Sequence, residues 1–264
     1  MKRYHLFEFE DLPWFPTALR DNITDFLQFM VNHFDFYKGL VPVLQHGVEA
    51  SGANTIIDLA SGGGGGWPRL LDHLREVQPD VAVVLTDRYP NREAFEALEA
   101  SHNGAIRPYY TPVSALDVPP DLVGLRTQFL SLHHFCPDEV RQILQNAVDA
   151  RAPFLAVEIQ DRSWASVAKH MLSPLSVLLT TPFIRPFRWS RLLFTYLVPI
   201  LPIIIWWDGL VSVLRTHSKD ELQALIEDLD GTATFTWEIG VERSGIAPVY
   251  YLLGLPTEDP TTQK

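Results

Sequence analysis

Three groups of residues in this chain have the types and spacing to do chemistry. The first lies in residues 55–67, TIIDLASGGGGGW, where an apolar run ends in Asp58 and passes through Ala60 and Ser61 into five consecutive glycines, Gly62, Gly63, Gly64, Gly65 and Gly66. Glycines directly after a buried strand let the backbone turn sharply and approach a ligand that any Cβ would push away. The second is Asp87, at the end of VAVVLT, which follows the glycines by roughly 20 residues, where nucleotide-binding α/β sites place an acceptor for ribose hydroxyls. A carboxylate can accept from both hydroxyls at once. Together these two groups imply a nucleotide-like cofactor. The third is the pair His133 and His134, with Glu158 and Asp161 further on. Neutral imidazole accepts a proton near pH 7, and a carboxylate can act as base or bind a substrate amine. Each of the four also has a plain structural use. A histidine can pack or bond a backbone carbonyl, and the acids can pair with Arg162 or cap the segment that follows. Asp208, in WWDG, either faces a pocket or starts a turn, and His217 reads as exposed. Neither HExxH, HxH nor a metal-holding acidic cluster occurs, so no metal is assigned.

The elements that must position these groups alternate. Ile56, Ile57 and Leu59 mark a buried strand, and residues 81–86, 107–113, 127–132 and 153–159 give four more, ending near Asp87, His133 and Glu158. Between them fall helical patterns: Leu70, Leu71, Leu74 and Val77 after Pro68, then residues 91–100, then a helix opened by Asp138 and Glu139. Strand and helix in alternation predict a parallel sheet wound right-handedly, with ligands at the carboxyl edge of its strands. Residues 1–20 read as an irregular lead-in. A helix is predicted over 21–34 with Asp21 or Asn22 as N-cap, and another over 40–50. The aromatic stripe of the first of these helices reads as a face packed on the core, with Phe34, Phe36 or Tyr37 covering the cofactor as the alternative. Ser218 and Glu221 have capping-box spacing, and residues 232–239 and 248–255 read as two last strands joined around Ser244 and Gly245.

The order Asp58, Leu59, Ala60, Ser61, Gly62, Gly63, Gly64, then Asp87, then LSLHHF resembles a class I S-adenosylmethionine-dependent methyltransferase. The resemblance covers residues 35–163 well and the final strands loosely. It implies a Rossmann-like three-layer sandwich, α/β, with a mostly parallel seven-stranded sheet whose last strand is antiparallel. It implies S-adenosylmethionine as cofactor, with the turn of Ala60, Ser61, Gly62, Gly63 and Gly64 along its methionine part, Asp87 at the ribose, Ser114 at the position of the adenine contact, and Asp58, Arg88 and Leu132 also in the cofactor site. Ala60 stands where the family has the first glycine of its motif. Ser114 stands where the family often has an acid, with Asp117 three residues on. His133, His134 and Glu158 become the candidates for catalysis, because a sulfonium methyl is already electrophilic and a base is needed only when the acceptor must lose a proton.

Composition bounds the rest. With 264 residues the chain fits one large domain, here residues 1–264, with an N-terminal helical lead-in over 1–50 and an apolar cap inserted over 164–210. A net charge of −11 argues against a nucleic-acid partner, RPFRWSR being the one basic patch. A single cysteine, Cys136, excludes an internal disulfide and favours a reducing compartment, and the amino-terminal residues lack a secretion signal's apolar core, so a cytoplasmic protein is expected. The run over 192–207 carries Pro199 and Pro202 and is short for a spanning helix. It predicts a cap that walls a pocket or makes a peripheral membrane or dimer contact. The function expected is methyl transfer to a small, partly apolar acceptor. A nicotinamide-dependent oxidoreductase and a non-catalytic Rossmann-like protein that binds a membrane or partner are the alternatives.

Overall fold

The structure is a computed structural model and describes residues 1–243 and 247–257. After a 3₁₀ turn at Phe9–Asp11, helix α1 (Thr17–His33) and helix α2 (Val41–Ser51) precede the sheet. Strand β1 (Thr55–Asp58), helix α3 (Trp67–Val77), strand β2 (Ala82–Leu85), helix α4 (Arg92–Ser101), strand β3 (Ile106–Pro108), strand β4 (Leu125–Phe129), helix α5 (Pro137–Asp149) and strand β5 (Phe154–Glu158) follow in alternation. The insertion then contributes α6 (Trp164–His170), α7 (Ser173–Thr180), α8 (Trp189–Leu192), which continues as a π-helical turn, and α9 (Ile200–Arg215). Helix α10 (Lys219–Glu227) leads into strands β6 (Phe235–Glu242) and β7 (Val249–Pro256).

The seven strands form one sheet in the order β3-β2-β1-β4-β5-β7-β6. The first five run parallel, and β7 lies antiparallel between β5 and β6. Side chains alternate across the strands as the pleat requires. Ile56, Leu155 and Val157 pack with α2, α3 and α4 on one face, and Ile57, Phe154 and Ala156 pack with α5 and α10 on the other. Strand order reverses at β1, so the crevice between β1 and β4 opens at the carboxyl edge, where ligands of open α/β sheets bind.

A third core sits beyond that edge. Phe15, Leu19, Ile23 and Phe26 of the lead-in and α1 pack with Val177, Ile184, Leu201, Ile204 and Ile205 of the insertion. Both segments therefore fold onto each other above the sheet.

Several expectations shift. Helix α1 starts at Thr17, after Pro16 holds the chain extended, so Asp21 and Asn22 lie inside it rather than at its cap. The lead-in is ordered: the Tyr4 N–H donates to the Leu214 carbonyl at 3.1 Å and Trp207 Nε1 to the Phe7 carbonyl at 3.0 Å. Strand β3 is short and ends at Pro108, whose nitrogen faces the open edge of the sheet, while the Tyr109 N–H still donates to the Leu85 carbonyl at 3.0 Å. Strand β4 stops where Leu130 takes φ +49°, and Leu132–His134 form a 3₁₀ turn. RPFRWSR is no open basic patch, because Arg188 and Arg191 both bond Asp25 and Arg191 is buried. Ser244 and Gly245 lie outside the described residues. No single helix among the described residues is long and apolar enough to cross a membrane, and the one pair that passes together, 189–197 with α9, is bent by 86°.

Candidate active site

The glycine turn is built by its neighbours as much as by its own conformation. Asp58 is 2% exposed and accepts from Thr127 Oγ1 at 2.8 Å, and burial pushes its carboxyl up to about 6. Ser61 Oγ donates to the Asp58 carbonyl at 2.9 Å, and the Ser61 N–H to the Thr86 carbonyl at 2.9 Å, closing the turn onto β2. Ala60 has φ +55° and Gly62 φ +56°. From α1, Gln28 Nε2 donates to the Gly63 carbonyl at 3.1 Å and Asn32 Nδ2 to the Gly65 carbonyl at 2.9 Å.

The glycines serve two purposes. A Cβ on Gly64 would meet Leu98 at 2.1 Å and one on Gly66 would meet Tyr37 at 2.4 Å, so these two make room for the chain's own side chains. Around the Cβ positions of Gly62 and Gly65 nothing lies within 4 Å. That open space is where a ligand can approach the backbone. Asp87 closes it: Oδ2 accepts the Gly62 N–H at 2.9 Å and Oδ1 the Tyr89 N–H at 2.7 Å, and each oxygen keeps a second lone pair. The residues at the turn thus fit a ribose-bearing cofactor.

The other residues read from the sequence divide. Arg88 is exposed, its guanidinium 5.7 Å from the Tyr89 ring centre. Ser114 Oγ accepts the Leu116 N–H at 3.3 Å in a turn bridged to Asp117. Leu132 is buried in the core on the α5 face, so only its backbone is left for a ligand.

Two spaces flank the end of β4. A cleft of about 30 Å³ is lined by Tyr37, Asp58, Ala60, Ser61, Gly65, Gly66, Trp67 and Phe129 among others. A cavity of about 350 Å³ lies between α1 and the insertion and reaches Phe36 and Leu130. Phe36 and Tyr37 are consecutive, as are Phe129 and Leu130. The glycine-turn cleft and the large cavity therefore share one wall. A volume of this size suits a small organic molecule.

His133 enters this cavity from the 3₁₀ turn after β4. Its ring Nδ1 lies 3.0 and 2.9 Å from the two oxygens of Glu158, at the end of β5, and its backbone N–H donates to Glu158 Oε1 at 3.1 Å. Gln160 Nε2 donates to the same carboxylate at 3.0 Å. A carboxylate only accepts, so Nδ1 donates in this contact, and Nε2 makes no hydrogen bond among the described residues. His134 Nδ1 is 2.8 Å from Asp11 Oδ1. Glu158 does not pair with Arg162, whose partner is Glu221 at 2.8 Å; Ser163 caps α6, and Asp161 accepts from the Ser163 and Ser166 hydroxyls.

The sequence missed the part of the cavity that the lead-in supplies. Glu8 is buried, 3.9 Å from His133 Nε2, and Arg215 Nη1 lies 3.4 Å from it and 2.6 Å from Asp11. Burial pushes Glu8 up to about 7, Glu10 to about 8 and Asp208 to about 6. Asp208 lies within α9 and lines the cavity, which excludes a turn. His217 is buried rather than exposed, and burial lowers it to about 4. Glu8, His133 and His134 bring ligand atoms within 4.8 Å of one another, a group a metal could use, with the Arg215 cation already beside it. Only the alternation of acids and aromatics in HLFEFED hinted at this strap.

No family model matches the chain, and no curated protein matches it. Solved structures do. PigF with SAH superposes with a TM-score of 0.52 at 15% identity, over 91% of this chain and 60% of that one. The fold is the class I methyltransferase fold. Human N-acetylserotonin methyltransferase in complex with SAM and the mitomycin 7-O-methyltransferase MmcR each reach a TM-score of 0.48, at 13% and 17% identity. They are covered over 59% and 70% of their lengths, by 92% and 94% of this chain. At these identities the likeness is one of fold, and this chain spans about three fifths of the length of the first two.

Proposed function

We propose that the chain transfers a methyl group from S-adenosylmethionine to a small, partly apolar acceptor held in the 350 Å³ cavity. The wall shared by cleft and cavity carries this reading, because methyl transfer needs two ligands held against each other at one boundary. The cofactor supplies a methyl group already activated as a sulfonium. Asp87 and the open backbone at Gly62 and Gly65 hold it, and Phe36 and Leu130 bound the acceptor side. His133, its Nδ1 proton fixed by Glu158, takes a proton from the acceptor at Nε2. His134, committed to Asp11, orients the strap rather than the acceptor. An oxidoreductase would use the same turn and acid. Calorimetric titration with S-adenosylmethionine, S-adenosylhomocysteine and NAD separates the two: micromolar binding of the first two, weakened in Asp87→Ala, supports methyl transfer, and binding of NAD alone overturns it.

The insertion supports a second property, attachment to an anionic membrane surface from the cytoplasm. Residues 163–207 contain no acid in a chain of net charge −11, and Lys169 and Arg185 there enter no ion pair among the described residues, whereas Arg188 and Arg191 are taken up by Asp25. Trp164 and Trp189 are each 76% exposed, with Leu175, Leu179, Phe183 and Leu197 also exposed on this unit. Aromatic and basic residues together favour a bilayer interface, whereas a two-fold contact would set like charges against each other. Sedimentation with phosphatidylglycerol vesicles but not with zwitterionic ones is expected. A monodisperse dimer that binds neither would replace this with self-association.

A further inference from the structure

The cavity has an acidic end, where Arg20 is near enough to act on Glu10 and His134 on Asp208 without forming an ion pair with either. Glu10 and Asp208 both line it, and neither enters an ion pair among the described residues. Asp208 is 4% exposed; Oδ1 accepts the Phe9 N–H at 2.8 Å, while Oδ2 has no hydrogen-bond partner. A buried carboxylate oxygen with no partner is costly, and the duty of Asp208, holding the first N–H of the 3₁₀ turn at Phe9–Asp11, falls to Oδ1 and leaves Oδ2 facing no donor. Glu8 beside it is served by the chain itself, through Ser212 Oγ at 3.2 Å and Arg215. The remaining polar lining offers no substitute. His133 and His134 have their Nδ1 atoms committed to Glu158 and Asp11, His170 Nδ1 lies 2.9 Å from the Ser166 carbonyl, and Lys169 is exposed and forms no ion pair among the described residues.

We propose that this end of the cavity binds a cationic nitrogen, with Asp208 and Glu10 as its counter-charges, and that the acceptor is therefore an amphiphilic amine whose apolar body lies against Ile23, Phe26, Leu27 and Ile205. Only the word acceptor rests on the methyltransferase reading; the cation site stands on the cavity alone. Several carboxyls converging in a buried space disfavour one another's ionised forms, and a single cation among them favours all of them at once. Burial and these neighbours hold Glu10 and Asp208 above the usual carboxylate range, so cation binding releases protons. The mostly apolar walls suit an organic ammonium group better than a hard cation such as Ca²⁺ or Mg²⁺, which needs about six oxygen ligands.

The test is calorimetry on the full chain, first with S-adenosylhomocysteine, then with phenethylamine, 2-phenylethanol and 3-phenylpropionate, each with and without S-adenosylhomocysteine. Phenethylamine is expected to bind at least about tenfold more tightly than the alcohol, and the carboxylate not to bind. Its heat should vary with the ionisation enthalpy of the buffer, reporting released protons. Asp208→Asn should cost the amine about tenfold and leave S-adenosylhomocysteine affinity unchanged. Glu10→Gln, which removes no hydrogen bond, serves the same purpose should the first variant fail to fold. The inference is overturned if the alcohol binds as tightly as the amine, if neither variant weakens the amine, or if no amine binds up to about 10 mM. Amine binding without S-adenosylhomocysteine binding would keep the cation site and remove the methyltransferase reading, and the reverse result would do the opposite.

Discussion

Asp208→Asn should change the pH dependence of stability in a direction that can be worked out in advance. In the folded chain burial first, and Asp11 nearby, push the Asp208 carboxyl up to about 6. In the unfolded chain it ionises near 3.9, so folding stability from this group is full below about pH 4 and is lost as pH rises through about 6. A gap of about two units corresponds to roughly 3 kcal/mol once both states are ionised, and about half of that is already lost at pH 5. Asparagine keeps an acceptor for the Phe9 N–H and carries no charge. Relative to wild type, the variant should therefore gain about 1–1.5 kcal/mol between pH 5 and pH 8, or a rise in the Tm difference of about 3–5 °C for a chain of this size. Glu8 and Glu10 titrate in the same window in both proteins, which is why the variant-minus-wild-type difference is the quantity to read. Losing the Asp208 charge also lowers both neighbours toward the ordinary range, adding to the gain. Paired thermal and urea melts at the two pH values measure it. A difference that stays flat, or that turns against the variant at pH 8, would refute the claim that Asp208 is a burdened carboxylate.

Other perturbations separate the roles of neighbouring residues. Gly64→Ala sets a Cβ 2.1 Å from Leu98 at φ +87°, and should cost about 2–4 kcal/mol in urea unfolding. Gly62→Ala, in open space at φ +56°, should cost only about 1 kcal/mol of stability but weaken S-adenosylmethionine binding in calorimetry. Thr127→Val removes the donor to buried Asp58 and should destabilise by about 1–3 kcal/mol. Glu158→Gln should slow methyl transfer roughly 100-fold with S-adenosylhomocysteine affinity unchanged; equal loss of both would place Glu158 in the fold rather than in the chemistry.

The sheet was legible because its signals are local. β-branched runs, period-two alternation and the acids that end β1 and β2 appear within a few residues of each other, and Asp58, Asp87 and Glu158 stand at the strand ends where those runs put them. The end of β4 moved where a single backbone event decided it, the positive φ of Leu130. The partnership of His133 with Glu158 was beyond reach, since 25 residues and a whole helix separate them and only the pairing of β4 with β5 brings them together. Glu8, Glu10 and Asp11 were harder still. They belong to a strap whose position is set by contacts some 200 residues away, Trp207 to the Phe7 carbonyl and Arg215 to the Leu6 carbonyl at 2.6 Å, and no periodicity marks such contacts.

That division has a consequence for specificity. The side proposed for the cofactor is made by β1, β4, α3 and the glycine turn, all of which the alternating core holds in register. The acceptor side is made by the lead-in, α1 and the insertion, which pack on each other in a core of their own. Changes in the third core can thus reshape the acceptor cavity without disturbing the turn that meets the cofactor, provided Phe36 and Leu130 keep the wall between them. Enlarging the cavity at Ile205, for example by Ile205→Val, should then alter which amines bind while S-adenosylhomocysteine affinity stays constant, and a parallel loss of both would show that the two cores do not act separately.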